Sequence, residues 1–241
     1  MQPLLYGELT PWYRLLDPVA DHADEAAAYV DALLRAGAPR GGTLLELGAG
    51  AGGNAFFFKR DFACTLTDLS PEMLALSRAL NPECEHLAGD MRTLHLARTF
   101  DAVMVHDAVA YMTTRADLAA MAATAFAHTR PGGAAVFAPD YVREAFREKT
   151  ELYTGDEGPR ALRCLEWAWD PDPSDHTYCV EYAFLLRDGA QMRAVHDRHL
   201  EGLFTRAIWL ETLTGVGYRV TLADRPFDDT TTDQIFVCQR P

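Results

Sequence analysis

No stretch of this 241-residue chain concentrates positive charge. Its 22 lysines and arginines stand against 35 aspartates and glutamates, a formal charge of −13. A surface of that sign repels a phosphate backbone, which argues against a nucleic-acid partner. Cysteine is sparse: Cys64, Cys84, Cys164, Cys179 and Cys238 are scattered and form no C-x-x-C pair. Neither a disulfide framework nor a structural zinc site is indicated, and reduced thiols in a cytoplasm are expected. No H-x-x-x-H or paired-carboxylate motif points to any other metal. No apolar run reaches the length of a membrane span, and the N-terminus lacks the basic region and apolar core of a signal peptide. There is no internal repeat. What remains is ordinary for a globular chain, with 49% hydrophobic and 24% charged residues, enough for one large domain or a domain plus a cap.

The stretch from Thr43 to Asn54, TLLELGAGAGGN, organises the rest. Leu44, Leu45 and Leu47 make a short apolar run, the mark of a strand buried on both faces. Gly48, Gly50, Gly52 and Gly53 follow, then Ala55 to Phe58 as the start of a helix. Strand, glycine turn and helix together form the entry to a nucleotide-type site, because glycines remove Cβ atoms where the backbone must approach a ligand. Gly48, Gly50 and Gly53 also satisfy the dinucleotide fingerprint G-x-G-x-x-G.

Further elements read as an α/β alternation. A Pro-punctuated arm, residues 1–19, carries Tyr6, Trp12 and Tyr13. It is either a core anchor or a lid over a ligand. An amphipathic helix spans about Asp24 to Arg35. The strand Ala63 to Thr67 ends in Asp68, twenty residues beyond Gly48, where a carboxylate can accept both ribose hydroxyls. Ser70-Pro71-Glu72 opens a helix as N-cap, first helical position and dipole partner. A third strand near His86 to Ala88 ends in Gly89-Asp90-Met91. A fourth, Phe100 to Val105, delivers His106 and Asp107 to its carboxyl end, with Tyr111 five residues past His106. A helix from Arg115 to His128 and a Pro131-Gly132-Gly133 turn lead to a fifth strand, Ala134 to Ala138.

Composition changes near Pro139. Residues 140–160 are charged and lack a period. Three β-runs follow: Leu165 to Trp169, Tyr178 to Leu186 and Met192 to Leu200, separated by Pro171-Asp172-Pro173 and Asp188-Gly189. They predict an antiparallel meander inserted into the α/β unit. A helix from Leu203 to Thr214 and two strands, Tyr218 to Leu222 and Gln234 to Cys238, close the chain. Joined by a loop alone, these two strands pair antiparallel or lie apart.

Glu46, two residues before Gly48, completes E-x-G-x-G-x-G through Gly52. With Asp68, Gly89-Asp90-Met91, Pro131-Gly132-Gly133 and the closing strands in this order, the chain resembles class I S-adenosylmethionine (SAM) methyltransferases over nearly its whole length. The resemblance implies a Rossmann-like seven-stranded α/β sheet with an inserted antiparallel β-meander cap. It implies SAM as cofactor and S-adenosylhomocysteine (SAH) as product. It assigns Glu46, Gly48, Ala49, Gly50, Asp68, Leu69, Asp90, Met91 and His106 to the cofactor. Residues 1–138 and 201–241 would form the SAM-binding domain, with residues 1–19 as its lid and residues 139–200 as the insert over the substrate.

A finer resemblance is to small-molecule N-methyltransferases acting on nucleotide-linked aminosugars. It lies in the Tyr arm, in Phe100 to Met112, in the meander, and in Asp197-Arg198-His199-Leu200-Glu201-Gly202-Leu203-Phe204. The chain departs from that pattern after the fourth strand, where His106-Asp107-Ala108 replaces a segment rich in Ser and Phe. Methyl transfer is an in-line displacement that needs alignment and a proton acceptor. The catalytic candidates are His106, Tyr111, His199 and Tyr6; Tyr13, Asp140 and Trp167 are candidates for the acceptor. The expected partner is a small-molecule methyl acceptor, most simply an amine, with no nucleic acid or membrane. A homodimer stays open. An O-methyltransferase, a NAD-dependent oxidoreductase and a catalytically inactive regulator are the alternatives.

Overall fold

The computed structural model describes residues 3–226 and 232–241. The arm comes first: short 3-10 turns at Leu4–Tyr6, Thr10–Trp12 and Val19–His22, with helix α1 (Tyr13–Leu16) among them. Then follow α2 (Ala23–Arg35), β1 (Thr43–Leu47), the one-turn helix α3 (Ala55–Phe58), β2 (Ala63–Asp68), α4 (Pro71–Leu80), β3 (Glu85–Ala88), β4 (Phe100–His106), α5 (Arg115–His128) and β5 (Thr129–Ala138). Four long strands come next: β6 (Lys149–Glu157), β7 (Arg160–Trp169), β8 (Thr177–Asp188) and β9 (Gln191–Gly202). Helix α6 (Arg206–Gly215) and strands β10 (Arg219–Pro226) and β11 (Thr232–Gln239) end the chain.

Seven strands form one sheet in the order β10-β11-β5-β4-β1-β2-β3. The strands from β3 to β5 are parallel, and β11 inserts antiparallel between β5 and β10. The chain winds outward from β1 in one direction and from β4 in the other. That reversal leaves a crevice at the carboxyl ends of β1 and β4, where open α/β sheets bind ligands. Strand β4 reads as an unbroken apolar run because both its faces are covered. Val103 and Val105 pack with Leu118 and Trp209 on one side. Ala102 and Met104 pack with Tyr29, Leu33 and Phe58 on the other.

Local signals set the helix starts. The Ser70 hydroxyl accepts from Met73 N with Pro71 at the first helical position, and Thr114 caps α5 through Asp117 N. Thr205 caps α6 through Ile208 N, so this helix begins at Arg206 and not at Leu203. The residues before it continue from β9, which runs to Gly202. Strand β5 starts earlier than its apolar run: Thr129 pairs with Phe100, and the register then shifts so that Ala134 pairs with Ala102.

The second sheet is antiparallel, β6-β7-β8-β9. It has four strands where the sequence pattern shows three. Strand β6 alternates half-buried with exposed positions but is polar on both faces, so alternation in hydrophobicity, the signal that betrays a strand, is missing. The arm fills the space beneath this sheet, where Leu5 and Leu9 are buried with Leu162, Cys164, Phe184 and Leu186. Each such side chain contributes about 1.5–3 kcal/mol by burial.

Candidate active site

A cavity of about 490 Å³ opens at the carboxyl ends of the parallel strands. The glycine turn, Asp68-Leu69, Gly89 to Arg92 and His106 to Ala108 line it, and Tyr6 and Tyr13 of the arm reach it from above. Gly48 shows why the turn tolerates no side chain. Its φ is +78°, and a Cβ there would stand 2.3 Å from Ala108 Cβ, a contact no real Cβ makes. Asp68 Oδ2 accepts from Gly50 N at 2.8 Å and Oδ1 from Ser70 N at 2.8 Å. The carboxylate thus pins the turn, and each oxygen keeps a further lone pair for a ligand. Leu69 is 67% exposed, an apolar shelf at the cavity wall. Asp90 pairs with Arg92 at 2.6 Å, and Arg92 reaches on to Asp117 at 2.9 Å; Met91 closes against Gly48.

Glu46 is the most isolated acid in the site. It is buried, and its Oε2 accepts no hydrogen bond among the described residues. Burial pushes its carboxyl up to about 8, with partial relief from His106 and His22. The Asn54 side-chain amide lies 3.1 Å from His106 Nδ1; with His106 protonated that nitrogen donates, so the amide oxygen faces it and accepts. A carboxyl without a donor on the cavity wall, Glu46, suits a ligand ammonium whose arrival would displace its proton.

His106, at the end of β4, is held from both sides. Nε2 lies 2.7 Å from Asp107 Oδ1 and 3.4 Å from Glu25 Oε2. Burial alone would lower its pKa, but these two carboxylates raise it well above the ordinary histidine value. His22 extends the alternation of charge. Nδ1 is 2.8 Å from Glu25, and Nε2 is 2.9 Å from Asp17, ion-pair distance but poorly aligned for a hydrogen bond. Its pKa rises to about 10, the two carboxylates outweighing burial.

A second group sits above the cavity. Tyr111 Oη donates to Tyr6 Oη at 2.8 Å and lies 2.8 Å from His199 Nδ1. His199 Nε2 reaches Asp197 Oδ2 at 3.1 Å, and Asp197 Oδ2 accepts from Leu5 N at 2.8 Å. Glu201 accepts from the Tyr178 hydroxyl. With Tyr111 donating to Tyr6, both imidazole nitrogens of His199 donate, which is the imidazolium form. Its raised pKa agrees: Asp197 and Glu201 outweigh burial. One carboxylate therefore ties the arm, the second sheet and Tyr111 together.

The site's contents fit the cofactor expected from sequence. Glu46 offers an acceptor to the methionine ammonium, Asp68 offers lone pairs at the tip of β2, and Leu69 and Met91 offer apolar surface. A profile described as "Methyltransferase domain" matches residues 44–133. The "dTDP-3-amino-3,4,6-trideoxy-alpha-D-glucopyranose N,N-dimethyltransferase" of Streptomyces venezuelae is 30% identical over 203 residues, 83% of this chain and 84% of that protein. The chain belongs to the SAM-dependent methyltransferases.

Among solved structures, this methyltransferase superposes on SAM-bound CalS10, an amino pentose methyltransferase from Micromonospora echinaspora. The TM-score is 0.79 at 29% identity, covering 91% and 92% of the two chains. On DesVI of Streptomyces venezuelae the TM-score is 0.84 at 25% identity, covering 98% of each. The methyltransferase uses SAM and transfers its methyl group to a small-molecule acceptor at an amine nitrogen. The oxidoreductase alternative falls with the cofactor. No helix among the described residues is long and apolar enough to cross a membrane.

Most sequence candidates converge on the cavity or its roof, but Trp167 does not. It lies on the outer face of the second sheet, stacked on Trp169 with its Nε1 bonded to Glu148. His199 and Tyr182 share the inner face, so strand alternation sends Trp167 away from the cavity. Tyr13 lines the cavity, and Asp140 lies just behind Asp107. Sequence reasoning missed Asp17, His22, Glu25, Asn54, Asp107, Asp197 and Glu201 as site residues. A signal existed for two of them: Asp197, His199 and Glu201 share one parity of β9, and a strand that buries three ionisable groups on one face is building a site.

Proposed function

We propose that this methyltransferase acts on the amino group of an aminosugar, carried on a nucleotide as in the relative from Streptomyces venezuelae. The observation that carries the reading is the convergence of Tyr6, Tyr111 and the Asp107 carboxylate on the cavity beside Glu46. A sugar ammonium finds there an anion to bind and hydroxyls to orient it. The cofactor, when bound, supplies a methyl group on a positively charged sulfur. Glu46, the turn from Gly48 to Gly50, Asp68, Leu69, Asp90 and Met91 hold and orient it, and His106 supports that wall from between Asp107 and Glu25. Tyr6 and Tyr111, with His199 behind them, position the acceptor, Tyr13 roofs it, and the arm and second sheet exclude water.

The test is mass spectrometry of dTDP-3-amino-3,4,6-trideoxy-alpha-D-glucopyranose incubated with SAM and the protein. Gain of one and then two methyl groups is expected. No gain on this compound, with transfer to an amine lacking a nucleotide, would replace the acceptor class.

The reading extends to assembly and place. Six of the large apolar side chains that are exposed lie on the outer face of the second sheet: Leu152, Leu165, Trp167, Leu185, Met192 and Leu200. An uncovered apolar face of this kind marks a protein contact, and a second copy of the chain is its proposed occupant. Four strands of about ten residues offer roughly 600 Å² per face, near the 800 Å² per partner of a standard interface. Leu165→Glu should convert a dimer to a monomer in light scattering; a monomeric wild type refutes it. Five free thiols suit the reducing cytoplasm proposed as its location.

A further inference from the structure

An amine acceptor brings a proton problem. An ammonium has no lone pair, so one proton must leave before the N–C bond forms. The groups around the reacting end of the cavity are poor receivers. The Tyr6 and Tyr111 phenols are half-buried, and desolvation raises their pKa and keeps them neutral. His199 already donates through both nitrogens, to Asp197 and Tyr111. His106 is pinned as a cation between Asp107 and Glu25.

Two carboxyl groups stand differently. Asp107 is the first residue past β4, and its side chain is 56% exposed, into the cavity that it lines. Asp140 lies just past β5. Strands β4 and β5 are neighbours in parallel register, with His106 opposite Ala138, so the two chain segments leave the sheet side by side. Their carboxyl groups come within hydrogen-bonding reach of each other. Two carboxylates in contact resist double ionisation, and the pair holds one proton between them. Burial pushes both up. The His106 cation, resting directly on Asp107, more than offsets this and holds Asp107 below the usual range, while Asp140, beside Asp107 and Glu201, stays well above it. The charged and titratable groups facing the pair are Glu25 of α2, His106 of β4, Tyr141 just past β5, Glu201, Tyr178 and Tyr182 of the second sheet, and Tyr6 and Tyr13 of the arm.

We propose that Asp107 and Asp140 form a carboxyl dyad that takes the proton from the acceptor's ammonium and so frees its nitrogen for methylation. The proposal rests on the amine-acceptor reading above. The arriving ammonium replaces the shared proton, which leaves to solvent. One N–H bond then breaks as an O–H bond forms on Asp107, shared with Asp140 behind it. The freed lone pair forms the N–C bond while the cofactor's C–S bond breaks and its electron pair stays on sulfur. The dyad returns its proton to water as the methylated amine leaves. The pair suits this role better than one ordinary carboxyl, because Asp140, held well above the ordinary range, can take the proton on from Asp107, and its higher proton affinity narrows the gap to an amine.

The experiment has two arms on the full chain. In the SAH complex, aspartate labelled with carbon-13 at Cγ is titrated by NMR. One carboxyl keeping its proton above the ordinary aspartate range, and titrating differently in Asp107→Asn, is expected. Two carboxyls titrating independently near the ordinary value of about 3.9 overturn the dyad. In the second arm, single-turnover methyl transfer to the dTDP-aminosugar is compared with transfer to its alkoxyamine analogue, which is neutral at pH 7. Asp107→Asn and Asp140→Asn should lose about a hundred- to ten-thousand-fold with the ammonium acceptor and far less with the analogue, while the urea midpoint of each variant reports the fold. Equal losses with both acceptors reduce the pair to positioning residues and overturn the proposal. A wild type that methylates neither compound fails the acceptor reading instead, and the NMR arm still decides the dyad.

Discussion

Cofactor binding should release a proton, and Glu46 sets how much. This carboxyl is 2% exposed, its Oε2 has no donor, and burial pushes it up to about 8. At pH 7 it lies about one unit below that value, so about nine-tenths of the molecules carry the proton. The methionine ammonium of SAH, placed against Glu46, favours the carboxylate. Binding then expels about 0.9 proton per SAH at pH 7. The sign follows: the bound state prefers the deprotonated form, so affinity rises with pH below about 8 and levels above it. The slope is about 1.4 kcal/mol, or tenfold, per pH unit. Calorimetry with SAH in two buffers of different ionisation enthalpy, from about pH 6 to about pH 7.5, counts the protons before the ligand's own amine titrates. Glu46→Gln should abolish the release and flatten the pH dependence. A wild type that releases no proton, with affinity indifferent to pH, would refute the reasoning: the ammonium would not be at Glu46, or burial would not hold its proton.

Three further outcomes are expected. Gly48→Ala forces a Cβ onto Ala108 at positive φ; left-handed backbone and overpacking together should cost about 2–5 kcal/mol in urea unfolding and weaken SAH binding, and a change within about 0.5 kcal/mol would argue against the tight turn. Ser70 caps α4 and its Oγ also donates to Tyr6 O at 2.6 Å, so Ser70→Ala should cost about 1–2 kcal/mol and speed hydrogen exchange in residues 3–22, whereas unchanged exchange would show the arm held by other contacts. His22, raised to about 10 in the fold, adds stability that is fully present below its unfolded value of about 6.5 and is lost as pH rises towards about 10. Unfolding free energy should therefore fall across that window, by at most about 1.4 kcal/mol per unit from this group, and His22→Gln should flatten the fall.

The sequence by itself determined the features whose causes are local. The glycine turn after Leu47, the Ser70 cap and the apolar run of β4 each depend on residues a few positions apart. Their order was enough to indicate the α/β sheet and the cofactor. It also carried the closing strand pair, because two strands joined by a loop have few ways to pair. Strand β6 escaped because neither of its faces is apolar, and Trp167 was misplaced because parity within a strand does not say which face meets the ligand. Tertiary structure alone decided the roof of the cavity. Tyr6 meets Tyr111 across 105 residues, Tyr111 meets His199 across 88, and Leu5 meets Asp197 across 192. Such contacts arise from how the arm packs beneath the second sheet, and no local spacing encodes them. The same packing removes water, and so decided which groups keep their protons: Glu46 and Asp140 through desolvation, His106 and His199 through carboxylates that only the fold brings within reach.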